Sequence, residues 1–238
     1  MHKYFIDKDI ISNSQLSIEG DAAHHIINVL RAKKGEKVIF CDGSNTDYIS
    51  ELRMYDSKRK CAVFDIIDVA ECTTEPNIFI SLYQSIIKWD KFDFIIQKSV
   101  EVGVGEIIPV VSERSNYNIA DALNKTGRFN RIAKSAAEQS KRGRVPKVLT
   151  PVKLIDVAKK NDIQLYGCLG ASQRIKDVCK TVKSIGIFIG PEGGFSDCEK
   201  NHFEMINALP VKLSARVLRS ETACIVAVAL INDLYAGL

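Results

Sequence analysis

The sequence contains no apolar run near the roughly 18 residues that cross a bilayer, and Met1-His2-Lys3-Tyr4-Phe5 lacks the apolar core of a secretory signal. Both absences predict a cytoplasmic protein with no membrane partner. Seven cysteines are present without a Cys-x-x-Cys pair, and their odd number leaves no complete disulfide framework. They read as small core fillers in a reducing compartment. Four histidines, at 2, 24, 25 and 202, lack ligand spacing, so no metal site is expected. There is no internal repeat, low-complexity tract or long linker. No Gly-x-Gly-x-x-Gly follows the first strand, which argues against a Rossmann dinucleotide enzyme.

What is present fits a globular protein. A chain of 238 residues, 46% hydrophobic, suits one large or two small domains. The net charge of +4 is unevenly spread. Residues 1–72 hold 10 Lys and Arg against 12 Asp and Glu, and the remainder holds 23 against 17. Lys125, Arg128, Arg131, Lys134, Lys141, Arg142, Arg144 and Lys147 share their stretch with one acid, Glu138. A basic cluster of this density suits contact with an RNA backbone.

The rhythm of the chain changes near Thr73-Thr74-Glu75-Pro76, giving expected domains at 1–72 and 73–238. In the first, short strands at 37–41, 48–53 and 61–69 and a helix at 21–30 predict a small β-rich domain. His24 and His25 read as the end of that helix in preference to RNA contacts. In the second, strands near 78–85, 106–111, 163–169, 185–189 and 209–213 alternate with helices near 90–102, 126–142, 153–160, 196–207 and 220–235. That alternation predicts an α/β fold with a parallel sheet covered on both faces.

Two loops carry the chemical signal. The apolar run Ile185 to Ile189 breaks at Gly190-Pro191-Glu192-Gly193-Gly194, and Ser196-Asp197-Cys198-Glu199 has the spacing of a capping box. Strand, glycine loop and capped helix form the place where an α/β sheet offers a ligand crevice. The second loop runs from Leu213 to Ala223 and leads into an apolar helix with Ser220 as its expected N-cap. Arg216, Arg219 and Glu221 crowd the mouth of that helix.

Gly-Pro-Glu-Gly-Gly at 190–194 and Leu-x-x-Arg-Val-Leu-Arg-x-Glu-Thr-Ala at 213–223 together resemble the 16S ribosomal RNA uridine-N3 methyltransferases of the SPOUT superfamily. Other segments agree in order: His24-His25 with Val29-Leu30-Arg31, Cys41-Asp42-Gly43, Gln97 to Val104, Ser112-Glu113-Arg114-Ser115, and Ala137-Glu138-Gln139-Ser140 with Arg142 and Val145-Pro146. The resemblance covers nearly the whole chain. It implies a SPOUT methyltransferase domain with a C-terminal trefoil knot, preceded by a small PUA-like barrel that binds RNA. It implies S-adenosyl-L-methionine as cofactor, 16S rRNA of the small ribosomal subunit as substrate, and a homodimer.

By the same resemblance the cofactor is held by Leu169 and Gly170, by Ile189, Gly190, Pro191 and Gly193, and by Leu213, Ser214, Val217, Leu218 and Thr222. Arg219 and Glu221 are the catalytic candidates. Arg219 would polarise a uracil carbonyl, and Glu221 would accept a proton or, by preference, hold Arg219. Arg31, Arg114, Glu138, Arg142 and Arg144 are the RNA-binding candidates, and Glu138 and Arg142, four apart, are expected to pair on a helix. Two residues depart from the family pattern: Ser214 and Trp89 each stand where glycine is usual. Ser214 would crowd the cofactor loop. The competing readings are a SPOUT enzyme acting on another RNA, and a non-enzymatic RNA-binding assembly factor that retains the fold.

Overall fold

The computed structural model of the chain describes residues 1–29, 31–179 and 181–236. Leu30, named in the N-terminal motif, lies outside the described residues. The chain divides into two compact units. The first takes Met1–Glu75 and also Ala137–Val145, a stretch that the sequence reading left with the second domain; the second takes Pro76–Ala136 and Pro146–Leu238.

The first unit contains β1 (Lys3–Phe5), β2 (Ile11–Ser12), β3 (Gln15–Glu19), α1 (Gly20–His24), β4 (Lys37–Cys41), β5 (Thr46–Asp56) and β6 (Cys61–Glu71). They form one sheet in the order β1-β4-β5-β6-β3-β2. The β1–β4 pair is parallel, and the other pairs among the described residues of this sheet are antiparallel. Alternating residues of the strands point inward: Leu16 and Ile18, Val38 and Phe40, Ala62 and Phe64 join Ala23 and Ile26 in one core. The expected helix at 21–30 is shorter as an α-helix, because the chain continues from His25 to Val29 with wider π-type turns.

Residues 137–145 are built into this unit. Glu138 accepts a hydrogen bond from the Phe5 amide at 3.1 Å. The Gly143 carbonyl accepts from the Asn45 amide at 3.1 Å. The buried Lys3 ammonium donates to the Lys141 carbonyl at 3.3 Å and lies 2.6 Å from Asp47.

The second unit contains β7 (Phe79–Ser85), α2 (Trp89–Glu101), β8 (Glu106–Val111), α3 (Ile119–Leu123), α4 (Thr126–Gln139, whose last residues enter the first unit), β9 (Lys147–Val148), β10 (Val152–Lys153), β11 (Ile163–Gly167), α5 (Ile175–Val178), β12 (Ser184–Ile189), α6 (Asp197–Met205), β13 (Ala208–Val211) and α7 (Ser220–Tyr235). The strands lie in the order β10-β8-β7-β12-β11-β13, with β9 beside β8, and every pair is parallel. The central strands are buried along nearly their whole length, as a sheet covered on both faces requires. The buried face of α2 is Phe92, Ile95, Ile96, Ser99 and Val100, a helical stripe, and α2 packs against α7. The expected helix at 153–160 does not form. The sheet takes Val152–Lys153 as β10, and a single 3-10 turn at Leu154–Asp156 follows. Val157 is then extended, and its carbonyl lies 2.9 Å from Nε2 of the buried His202 on α6. This tertiary contact outweighs local helix propensity.

Candidate functional site

The carboxyl ends of β11, β12 and β13 lie side by side, because Tyr166 is in register with Phe188 and Gly167 with Val211. Three loops therefore leave the sheet together: Cys168 to Ala171, Gly190 to Phe195, and Lys212 to Leu218. The second is a tight turn. Gly194 has φ +68°, a left-handed conformation that favours glycine, and its amide donates to the Pro191 carbonyl at 2.9 Å. At Gly190 a Cβ atom would stand 3.3 Å from the Phe195 ring, closer than ordinary packing allows. The loop ends in the expected cap: Ser196 accepts from the Glu199 amide, and Glu199 accepts from the Ser196 amide at 2.7 Å. The other Glu199 oxygen accepts from the Glu113 amide at 2.9 Å.

Between the loops lies a pocket of about 500 Å³. Leu169, Gly170, Ile189, Gly190, Pro191, Gly193, Leu213, Ser214, Val217 and Leu218 all line it, as does Arg219. Thr222, expected among them, is exposed and outside the lining. The sequence reading missed Tyr166, Cys168, Phe195, Lys200 and Lys212. Tyr166 and Phe195 front an aromatic cluster: Tyr166 stacks on Phe203 at 4.4 Å, and Phe195 meets Phe203 edge-on at 4.8 Å. Leu169 and Val217 stand 60% and 79% exposed at the mouth. Apolar walls, three runs of main chain and this volume fit a flat heteroaromatic ring with a polar tail. Ser214 does not fill the pocket; its hydroxyl turns back to accept from the Arg216 amide at 3.2 Å.

The polar groups around the pocket differ from expectation in two respects. Ser220 is not the cap of α7: the helix starts at Ser220 and is preceded by Arg219, which makes no side-chain cap. Ser220 donates to the Gly190 carbonyl at 2.7 Å and accepts from the buried Gln84 amide at 3.0 Å, so its hydroxyl ties α7 to the glycine loop. Glu221 does not hold Arg219; among the described residues no ion pair joins them. Its Oε1 lies 3.6 Å from the ammonium of Lys91 on α2, and Lys91 also lies 3.3 Å from Glu192. Both carboxylates lift the Lys91 pKa above its ordinary value, the hydrogen bond to Glu192 most of all. Glu221 Oε2 is buried with no hydrogen-bond partner. The guanidinium of Arg219 is exposed and has no ion-pair partner among the described residues.

The RNA-binding candidates separate. Arg31 and Arg144 are exposed. Arg114 lines the pocket and donates to the Gly193 carbonyl at 2.6 Å. Glu138 is occupied by the Phe5 amide. Arg142 lies beyond the end of α4, outside the helical spacing expected to set it beside Glu138; it is 4% exposed and pairs with Glu75 at 2.8 Å. A guanidinium so enclosed is a structural group of the first unit and is not presented to a phosphate. Burial alone would raise the Glu75 pKa, but Arg142 and the Gly143 and Arg144 amides outweigh it and hold that carboxyl below its ordinary value. Arg128, Arg131 and Lys134 are exposed on α4, with Arg128 paired to Asp93. Trp89 opens α2 against Tyr117 at 4.5 Å, with the Lys125 ammonium 5.0 Å from its ring centre. Among the described residues no group of three His, Cys, Asp or Glu could hold a metal ion, and no helix is long and apolar enough to cross a membrane.

Residues 74–232 match the family model of an RNA methyltransferase domain, and residues 18–64 that of an RNA methyltransferase PUA domain. The chain is 30% identical to ribosomal RNA small subunit methyltransferase E of Bacillus subtilis, over 98% of this chain and 96% of that one. It is similar in structure to ribosomal RNA small subunit methyltransferase E of Neisseria gonorrhoeae bound to S-adenosyl methionine, with TM-score 0.89, 29% identity, and 99% and 98% of the two chains covered. A Legionella pneumophila protein solved in complex with the cofactor SAM gives TM-score 0.86 at 28% identity, with 98% and 97% covered. The chain belongs to the RNA methyltransferase family that includes the small subunit ribosomal RNA methyltransferases E.

Proposed function

We propose that this protein transfers a methyl group from S-adenosylmethionine to N3 of a uridine in the 16S RNA of the small ribosomal subunit, which would make it cytoplasmic. The observation that carries the reading is the pocket formed where three strand-end loops converge beside an unpaired arginine. The cofactor, when bound, supplies a methyl already activated by its sulfonium. The remaining work falls to the protein. Ile189, Leu213 and Leu218 wall a ring and exclude water, while the main chain of the three loops reads its polar edge. Arg219 is free to polarise a uracil carbonyl and stabilise negative charge there. Glu221 lies outside the pocket lining with Oε2 buried, so its part is to hold Lys91 and not to take a proton from the base. A paired uracil hides N3, so the target base must be unpaired or flipped out.

RNA contact is assigned to Arg31, Arg114 and Arg144 and to the exposed basic face of α4. The homodimer and the trefoil knot implied by the resemblance are part of this reading. Leu230 and Leu234, 40% and 38% exposed on α7, support a subunit contact there. The test incubates purified protein with labelled S-adenosylmethionine and small subunits from a strain lacking an enzyme of this kind, then identifies the modified nucleoside by mass spectrometry. The expected result is 3-methyluridine that disappears with Arg219→Ala. RNA binding without methyl transfer would instead favour the assembly-factor reading.

A further inference from the structure

Lys91 has no place in the chemistry described so far, yet it is the group through which two parts of the site touch. It projects from the first turn of α2, far in sequence from both of its partners. Its ammonium lies 3.3 Å from Glu192 in the glycine loop and 3.6 Å from Glu221 in the first turn of α7. Glu192 lines the pocket and its side chain is 55% exposed, whereas that of Glu221 is 14% exposed. The loop carboxylate is thus the open partner and the helix carboxylate the enclosed one. Without the ammonium, two carboxylates would converge on one position and repel, and the loop is the part able to yield.

We infer that Lys91 is a positioning residue that clamps the pocket-closing loop at Glu192 onto α7 at Glu221, and so sets the affinity for the adenosyl ligand. This inference rests on the methyltransferase reading of the pocket. The clamp acts before chemistry, on the shape of the slot between Pro191 and Leu218. Partly exposed ion pairs are individually weak, so loss of the clamp is expected to change affinity only modestly, by about fivefold.

The test measures S-adenosylhomocysteine binding by calorimetry, which needs neither RNA nor turnover. Lys91→Met is expected to raise Kd about fivefold at low salt, and Lys91→Arg to stay within about twofold of the parent protein. The gap between Lys91→Met and the parent should close at about 1 M salt, where exposed ion pairs are screened. In turnover, KM for S-adenosylmethionine should rise in step with Kd while kcat at saturation holds within about twofold. An unchanged Kd in a folded Lys91→Met variant overturns the clamp alone. So does a fall in kcat with Kd unmoved. A parent protein that binds no S-adenosylhomocysteine overturns the methyltransferase reading, and the clamp with it.

Discussion

Ser220 shows how much one hydroxyl can hold. It joins the Gly190 carbonyl to the Gln84 amide, and the Oε1 of that same Gln84 is already buried without a partner. Ser220→Ala would free the loop and leave the buried Gln84 amide with the Ser85 carbonyl but one acceptor short. The expected cost is about 1–3 kcal/mol, read as a lower Tm, with weaker S-adenosylhomocysteine binding in calorimetry. Glu75 gives a pH-dependent case. Its lowered pKa means that its stabilising contribution is complete above the ordinary carboxylate range and fades as pH falls through the lowered value. Glu75→Gln should therefore lower Tm at pH 7, and this deficit should shrink as pH falls through and below the ordinary carboxylate range. A deficit constant across that range would show that the charge is not what matters. Thiol reactivity is a third check. Burial pushes the Cys224 thiol up to about 12 and that of Cys41 to about 11, whereas Cys198 is exposed. An alkylating reagent at neutral pH should label Cys198 in the native protein and reach Cys41 and Cys224 only on unfolding. The loop residues of the pocket were legible in the sequence because Gly190 to Gly194 and Leu213 to Leu218 are contiguous motifs. Tyr166, Lys200, Lys212 and Lys91 were not, because they join the site only once strand order and helix packing are set.

Elements followed the same division. Helix α2 was readable because its apolar residues recur every three or four positions, as at Phe92, Ile95, Ile96 and Val100, and α7 as a long apolar run behind a polar first turn. Strands β7, β8 and β12 were readable as short, largely apolar segments bounded by turns. The segment 153–160 failed because pairing of β10 with β8 and the His202 contact outweigh a weak helical pattern. Elements of two to five residues, such as β2, β9, α3 and α5, carry too few positions for a period to show. The start of α6 was marked by its own chemistry, and its Glu199 turned out to serve two segments at once, the helix cap and the chain after β8. Ser196→Ala should cost about 1 kcal/mol through loss of the cap. Glu199→Ala should cost more, since the buried Ser196 amide and the Glu113 amide both lose their acceptor, and chemical denaturation of the two variants would rank them. An equal cost would mean that the bond to Glu113 contributes nothing.

At the scale of the molecule, the sequence marked the change of rhythm at Thr73 to Pro76 but gave no sign that residues 137–145 return to the first unit. Their basic, polar composition reads as a solvated exit from a helix, and only long-range contacts show their place. Those contacts serve groups that cannot be left unmet: the Phe5 and Asn45 amides, the buried Lys3 ammonium and the Glu75 carboxylate. A chain ending at residue 75 should therefore stay largely unfolded, and adding a peptide spanning 137–145 should restore dispersion in its amide NMR spectrum. On a translating ribosome the consequence is one of timing. At elongation rates of about 5–20 residues per second, the sheet of the first unit must wait seconds for its last segment to clear the exit tunnel. Its unfilled backbone would be open to chaperones throughout that interval, although its own strands are the first part of the newborn chain to emerge.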